Sequence, residues 1–165
     1  MRQNRHLLRL VLGVVMLALI GCADQTRARV TQAQIPPLAP GKARVWFFRP
    51  SLTPQFGWVA AFSPMIYVNG QPLAAIPVQT AFFRDFPPGT YRFTVQPYGL
   101  PTAQSTTLQL APGIEDFLQV DWIQSWTQGY PPASWSFAPN TFGILAANPQ
   151  VAEAYLPTLT YLGAP

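Results

Sequence analysis

The chain has 165 residues, of which 49% are hydrophobic and 10% are charged, so it can bury a core and does not have the composition of a disordered protein. Its formal net charge of +4 depends on its N-terminus: without Arg2, Arg5 and Arg9, seven basic residues face six acidic ones. A nearly neutral remainder without a Lys/Arg cluster excludes the basic surface typical of nucleic-acid-binding proteins.

Residues 1–21 have the features of an export signal. The three arginines precede an apolar run over residues 10–20, which is shorter than the ~20 residues that a membrane-spanning helix needs. Cys22 is the only cysteine, and the stretch LIGC at residues 19–22 resembles the lipobox of bacterial lipoproteins. This resemblance implies that Cys22 is acylated and becomes the first residue of the mature protein. The alternative is an ordinary signal peptide, with Cys22 discarded or buried.

The lipobox resemblance also implies a location. In lipoprotein families an aspartate directly after the cysteine retains the protein in the inner membrane, whereas here Ala23 occupies that position and Asp24 comes one later. We therefore expect a cell-envelope protein, anchored in the outer membrane through the acylated Cys22 and facing the periplasm. Residues 22–41 contain three prolines and no sustained period, so they are predicted to be the lipidated N-terminus and a flexible tether. The nineteen residues after Cys22 would reach about 60 Å at ~3.3 Å per residue.

Residues 42–165 are predicted to form one all-β domain, a single antiparallel β-sandwich with one short C-terminal helix. The run 45–48 is continuously apolar, as in a strand covered on both faces. Asn69-Gly70 predicts a two-residue hairpin turn. Pro72 lacks an N–H, which predicts that the second strand of this hairpin lies at a sheet edge.

Two Pro-Gly turns, Pro88-Gly89 and Pro112-Gly113, each predict a further pair of strands, and Gly89 is expected at the positive-φ position of a type II turn. Around these turns apolar and polar residues alternate, which indicates one buried face per strand. The predicted core positions are Tyr91, Phe93, Val95, Leu108, Leu110, Leu118, Val120 and Trp122.

The C-terminal third is less regular. We predict a loop over residues 125–135, a short strand within 136–146, and a helix that begins after Asn148 with Pro149 and ends at Pro157. The side chains expected on one face of this helix are Val151, Ala154 and Tyr155.

The order of these motifs resembles the DUF2846 family of bacterial, often lipid-anchored, domains. The likeness covers residues 42–124, with FRP at 48–50, VNG at 68–70, PPG at 87–89 and PG at 112–113. It implies a transthyretin-like (prealbumin-like) β-sandwich without an established activity. The PGTY turn is also similar to that of the PEGA domain of envelope proteins. Neither resemblance assigns residues 51–63.

Little in the sequence points to catalysis. The only histidine, His6, lies in the export signal, which removes Ser-His and Cys-His nucleophile systems and histidine metal sites from the mature chain. Asp85, Glu115 and Asp116 flank turns, where carboxylates are mostly solvated or hydrogen-bonded to the backbone. We therefore expect no enzyme, no cofactor and no metal site; a carboxylate pair for glycoside hydrolysis is the alternative.

Two arginines, Arg49 and Arg84, lie within aromatic strands. We expect their stems to cover apolar surface while their charged heads reach water. The alternative is a buried ion pair or an anion-binding arginine.

The candidate binding residues are Trp126, Tyr130 and Trp135, which stand between glycine and proline residues. They would form a stacking platform for a sugar ring or an anchor patch for a protein, because Trp and Tyr dominate interface hot spots. The alternative is that they plug the open end of the sandwich. The sequence thus favours a non-catalytic binding or scaffold module whose partner is an envelope protein or glycan. A second hypothesis is an accessory subunit of an envelope or secretion machine.

Overall fold

The computed structural model describes residues 35–51, 61–97, 105–123, 126–128, 135–137 and 141–163. The strands are β1 (Ala43–Arg49), β2 (Met65–Val68), β3 (Gln71–Ala75), β4 (Thr80–Phe86), β5 (Gly89–Val95), β6 (Ser105–Leu110), β7 (Glu115–Ile123), β8 (Trp126–Gln128), β9 (Trp135–Phe137), β10 (Thr141–Ala146) and β11 (Thr160–Tyr161). One helix, α1 (Pro149–Tyr155), continues into a 3₁₀ turn (Leu156–Thr158) before β11.

Two sheets pack face to face and confirm the predicted β-sandwich with one short helix. The larger sheet has the order β10-β7-β1-β4-β11 and the smaller one β3-β2-β5-β6, while β8 and β9 form a separate ribbon. The larger sheet is mixed rather than purely antiparallel, because β1 pairs parallel with β7 and β11 pairs parallel with β4. Parallel neighbours require a long connection. Between β1 and β7 the chain forms all four strands of the smaller sheet and also β4 of the larger sheet.

Strand β1 lies at the centre of the larger sheet, and all seven of its residues are buried. Val45 and Phe47 contribute to the core between the two sheets, whereas Trp46 and Phe48 contribute to a second cluster on the opposite face. The helix α1 supplies Ala152 to this second cluster. The prediction of a strand covered on both faces is therefore confirmed.

The core between the sheets contains all eight predicted positions. Phe93, Val95, Leu110, Leu118 and Val120 are buried, and the other three are partly buried against them. Aromatic rings from both sheets meet here, with the Phe47 ring 4.9 Å from that of Phe82 and 5.6 Å from that of Phe93.

The Asn69-Gly70 hairpin is confirmed, since both residues have positive φ, 50° and 83°, and β3 with Pro72 is an edge strand. The two Pro-Gly turns join the predicted strands, but each turn connects the two sheets rather than closing a hairpin. The reason is that the apolar faces on either side of each turn meet across the core instead of lying side by side. Gly113 has the φ of 80° that a type II turn requires, whereas Gly89, at 155°, does not.

The helix begins as predicted, because Asn148 Oδ1 accepts a hydrogen bond from the Gln150 N–H at 2.9 Å. Of the three side chains predicted to share a face, Tyr155 is partly buried against the outer cluster, whereas Val151 and Ala154 are exposed. The buried residues are Ala152 in the helix and Leu156 in the 3₁₀ turn that follows it. A helix of only seven residues is too short for its apolar pattern to reveal this spacing.

Residues 35–41, which the sequence assigns to the tether, lie against the domain through Ile35. The export signal and Cys22 lie outside the described residues, so their assignment stays a prediction. Within the part of the chain described here, no helix is both long enough and apolar enough to cross a bilayer.

Candidate functional site

The two ends of the sandwich are built differently. At one end, which we name the turn end, strands are joined by the short turns at residues 69–70, 87–88 and 111–114. Tyr91 braces this end by donating its hydroxyl to the Pro87 carbonyl at 3.1 Å. Short turns with fixed backbone geometry offer little surface for recognition.

The opposite end, the loop end, carries three long connections between strands, over residues 50–64, 96–104 and 124–140. The register places their strand ends together. Ile123 lies opposite Thr141, and the parallel pairing of β1 and β7 brings both of their C-termini to this end. Long connections on a rigid scaffold are where binding residues concentrate in β-sandwiches.

An open cleft of about 190 Å³ lies at the loop end, between the start of β2, the end of β5 and the start of β10. Its lining is mostly apolar, with two polar residues, and comprises Phe62, Ser63, Pro64, Gln96, Pro97 and Phe142. Ser63 and Gln96 are exposed, while Pro64 and Phe142 are buried. The cleft is thus a small apolar recess with polar groups at its mouth.

Arg49 holds the walls of this cleft together. Its side chain is only 3% exposed, and its Nη1 donates to the backbone carbonyls of Phe62 and, at 3.2 Å, Ile76. Its guanidinium carbon also lies 4.6 Å from the centre of the Phe142 ring, so it contacts two of the lining residues. The prediction that Arg49 covers apolar surface with its charge in water is therefore wrong, because its head is buried on backbone oxygens. Arg84 is exposed.

The charge of Arg49 is costly to bury. Desolvation lowers the pKa of Arg49 to about 10, and the negative charge of Asp121 opposes this change. Burial also raises the pKa of Asp121, although its carboxylate accepts a hydrogen bond from the Trp122 N–H at 2.8 Å. Arg49 is thus a buried cation at neutral pH, and its contacts connect Phe62 and Phe142, two residues that line the cleft.

Asp85, one of the turn-flanking carboxylates, binds a second buried arginine, Arg44, that sequence reasoning missed. Arg44 Nε and Nη2 donate to the two oxygens of Asp85 at 2.7 and 2.9 Å, and its guanidinium lies 4.0 Å from the Phe83 ring centre. Glu115 accepts from Trp46 Nε1 at 3.0 Å. These groups tie β1 to its neighbours β4 and β7. The sequence could have revealed this pair only through the register of β1 and β4, which places Arg44 opposite Asp85.

Within the predicted loop over residues 125–135, the structure has β8 and the start of β9, which pair as a ribbon in which Trp126 lies opposite Phe137 and Gln128 opposite Trp135. Opposite positions of an antiparallel ribbon share a face, so positions 126 and 135 lie on the same face of its backbone. Tyr130 and the side chains of Trp126 and Trp135 lie outside what the structure describes, so the aromatic platform stays a prediction.

Trp122, in contrast, packs against the core, with its ring centre 5.0 Å from that of Phe142. Its predicted core position is confirmed. It also places a tryptophan directly behind one wall of the cleft.

Three of the four described edges of the two sheets, β3, β6 and β10, are poorly suited to strand addition. Pro72 removes a donor from β3 at one edge of the smaller sheet. At the opposite side, the Thr106 hydroxyl of edge strand β6 donates to the Ile144 carbonyl of edge strand β10 at 2.6 Å, so these two edges cover each other. Recognition through the loop end is therefore better supported than recognition through these three edges.

No group of acidic, histidine or cysteine side chains within the described segments could hold a metal ion. No known protein family and no characterised protein matches this chain. The resemblance to the DUF2846 family consequently stays a prediction based on the order of short motifs.

Proposed function

We propose that this protein is a non-catalytic binding module of the cell envelope that engages its partner through the loop end. The observation that carries the proposal is the apolar cleft held open by Arg49 at the end with the long connections. The opposite end has tight turns, β3 contains a proline, and the edges β6 and β10 cover each other. Binding domains commonly carry long connections at one end of a rigid scaffold.

The dimensions of the cleft favour a protein partner. Its volume of about 190 Å³ is smaller than the ~300–1,000 Å³ of a typical small-molecule pocket, and it is open to solvent. One apolar side chain of a partner fits such a recess, while Ser63 and Gln96 at its mouth supply polar contacts. This partner chemistry corresponds to an accessory subunit of an envelope or secretion assembly. A glycan would instead depend on the aromatic positions Trp126, Tyr130 and Trp135.

The proposed location follows from the N-terminus. An acylated Cys22 anchors the protein in the outer membrane, facing the periplasm, and several acyl chains on one residue give lasting attachment, since each buried methylene contributes about 0.8 kcal/mol. A partner is then sought among envelope proteins within reach of the tether.

Filling the cleft tests the proposal without removing a core side chain. Ser63→Trp adds a large ring at the exposed mouth, and Gln109→Trp adds the same ring at an exposed position of β6 as a matched control. The tagged protein is purified from solubilised membranes. We expect a stoichiometric protein partner with the wild type and Gln109→Trp, and loss of that partner with Ser63→Trp.

The aromatic positions need a separate variant. If Trp126→Ala with Tyr130→Ala abolishes retention of cell-wall fragments at an unchanged melting temperature, the glycan hypothesis is correct instead. Equal partner recovery by Ser63→Trp and Gln109→Trp would mean that the loop-end cleft is not the binding site.

A further inference from the structure

We infer that residues 35–41 form a strap docked on the outer face of the larger sheet, and that Arg44 is the latch that holds it. Because the strap belongs to the segment between Cys22 and β1, docking shortens the free tether. This inference goes beyond the proposed binding function, and it depends on the lipid anchor only for its consequence at the membrane.

The contacts of the strap are specific. Arg44 Nη1 donates to the Pro36 carbonyl at 2.8 Å, and Ile35 packs against the outer cluster that contains Trp46 and Phe83. The Lys42 N–H donates to the Ala39 carbonyl at 3.1 Å, which forms a turn between the strap and β1. The strap is therefore held by one apolar side chain at its start and one turn at its end, with the arginine between them.

Arg44 is positioned for this contact before the strap arrives. Two of its nitrogens bind the Asp85 carboxylate, and its guanidinium lies over the Phe83 ring, so its orientation is fixed by the domain itself. Only Nη1 turns towards the strap. A donor that is already oriented loses little side-chain freedom when it binds its acceptor.

The strap is also stiff. Pro36, Pro37 and Pro40 fix three of its seven φ angles, so the undocked segment has few conformations to lose on docking. The residues between Cys22 and the strap, 23–34, contain no proline. The tether thus divides into twelve residues without proline and seven residues that include three prolines.

The consequence is a shorter distance between the membrane and the domain. The twelve residues between Cys22 and the strap span at most about 40 Å at ~3.3 Å per residue, instead of the about 60 Å available to all nineteen. Undocking would add about 20 Å of reach. The strap therefore sets how far from the membrane the loop end can find a partner.

Backbone order parameters measured by NMR on the mature chain test the docking. Ile35→Asp removes the apolar contact of the strap while leaving Arg44 and Asp85 in place, so the domain keeps its fold. Val30→Asp is the matched control, because Val30 precedes the strap in the tether. We expect order parameters near 0.85 for residues 35–41 in the wild type and Val30→Asp, falling below about 0.6 in Ile35→Asp. Values below 0.6 in the wild type, or no change in Ile35→Asp, would overturn the inference.

Energy transfer tests the shortened reach in the acylated chain in nanodiscs. A donor dye on Gln109→Cys reports on its distance from acceptor-labelled lipid headgroups. Adding Ile35→Asp should lower the transfer efficiency, and adding Val30→Asp should not. If Ile35→Asp and Val30→Asp give equal transfer efficiencies, docking does not shorten the reach of the tether, even if the strap is ordered. Neither measurement involves a binding partner, so failure of the proposed function would leave both results unaffected.

Discussion

Two arginines of β1 are buried, and each is satisfied by a different kind of partner. Arg44 binds a carboxylate on the outer face of the larger sheet. Arg49 lies five positions later in the strand and therefore points to the inner face, where it binds backbone carbonyls. A buried charge is tolerated when its hydrogen-bonding groups are occupied. One central strand thereby fixes both the strap near the turn end and the cleft at the loop end.

Asp121 predicts a pH dependence at the residue scale. Burial raises the pKa of Asp121, so the native state holds this proton more tightly than the unfolded chain. Its contribution to stability is complete below the ordinary carboxyl pKa and is lost as the pH rises through the raised value. Asp121→Asn cannot ionise but keeps an acceptor for the Trp122 N–H. Relative to the wild type, it should gain more stability at pH 7 than at pH 4.

Urea unfolding at the two pH values measures this difference, with Glu153→Gln on the exposed face of α1 as the control. If Asp121→Asn is instead less stable at pH 7 than at pH 4, relative to the wild type, attraction between Asp121 and Arg49 outweighs burial.

Phe93 tests the core between the sheets. Its side chain is fully buried and its ring lies 5.6 and 5.7 Å from those of Phe47 and Phe86. Phe93→Ala should lower the free energy of unfolding by about 3–5 kcal/mol, because it removes this burial and leaves a cavity. Chemical unfolding measures the change, and the neighbouring Thr94→Ala serves as the control. A loss below about 1 kcal/mol would place Phe93 outside the core.

Residue patterns predicted this core well, because alternation in a strand directly reports which side chains are buried. The same patterns did not reveal the partners of Arg44 and Arg49. Asp85 lies 41 positions from Arg44, and the carbonyls that Arg49 binds belong to connections. Contacts of this kind depend on strand register and on chain paths, which local sequence does not encode.

At the scale of elements, the turns were predicted more accurately than the sheets they join. Asn69-Gly70 closes a hairpin because its two positive φ angles match the strand twist. The Pro-Gly turns have equally clear local signals, but whether such a turn closes a hairpin or crosses between sheets depends on which neighbours each strand finds. The parallel pair β1–β7 is a long-range consequence of these crossings.

Gly89 tests the corner between β4 and β5. Its φ of 155° is one that residues with a side chain rarely adopt, yet the three atoms nearest to a Cβ there all belong to Tyr91, the nearest being Cε2 at 3.5 Å, an ordinary contact. Backbone strain rather than a clash should therefore determine the cost, which we expect to be about 1 kcal/mol or more for Gly89→Val. Gly89→Ala should lose a comparable amount in thermal unfolding. A much larger loss for valine than for alanine would mean that steric crowding dominates.

At the scale of the whole molecule, the proposed lipid anchor is followed by a tether that contains the docked strap and by a sandwich with one proposed recognition end. The anchor has its own test. Metabolic labelling with a fatty-acid analogue should mark the wild type and not Cys22→Ala, because the acyl chains require the cysteine. Labelling that survives in Cys22→Ala would contradict the anchor without affecting the fold.

The candidate site was only partly accessible from the sequence. Trp126, Tyr130 and Trp135 belong to the connection over residues 124–140, which begins and ends at the loop end. The aromatic pattern and the cleft therefore point to the same end of the sandwich. The cleft itself was not predicted, because its residues come from three places that are distant in the chain and come together only when the two sheets pack. Phe62 and Ser63 fell in the stretch 51–63, which neither resemblance assigned.

Recognition through the loop end is tested most directly by photo-crosslinking in intact cells. A photoreactive amino acid is placed at Ser63 or Gln96 at the mouth of the cleft, and at Gln71 or Gln109 away from it; all four positions are exposed. We predict crosslinks to the same envelope protein from Ser63 and Gln96 and none from Gln71 and Gln109. Crosslinks to that protein from Gln71 or Gln109, with none from Ser63 or Gln96, would contradict recognition through the loop end.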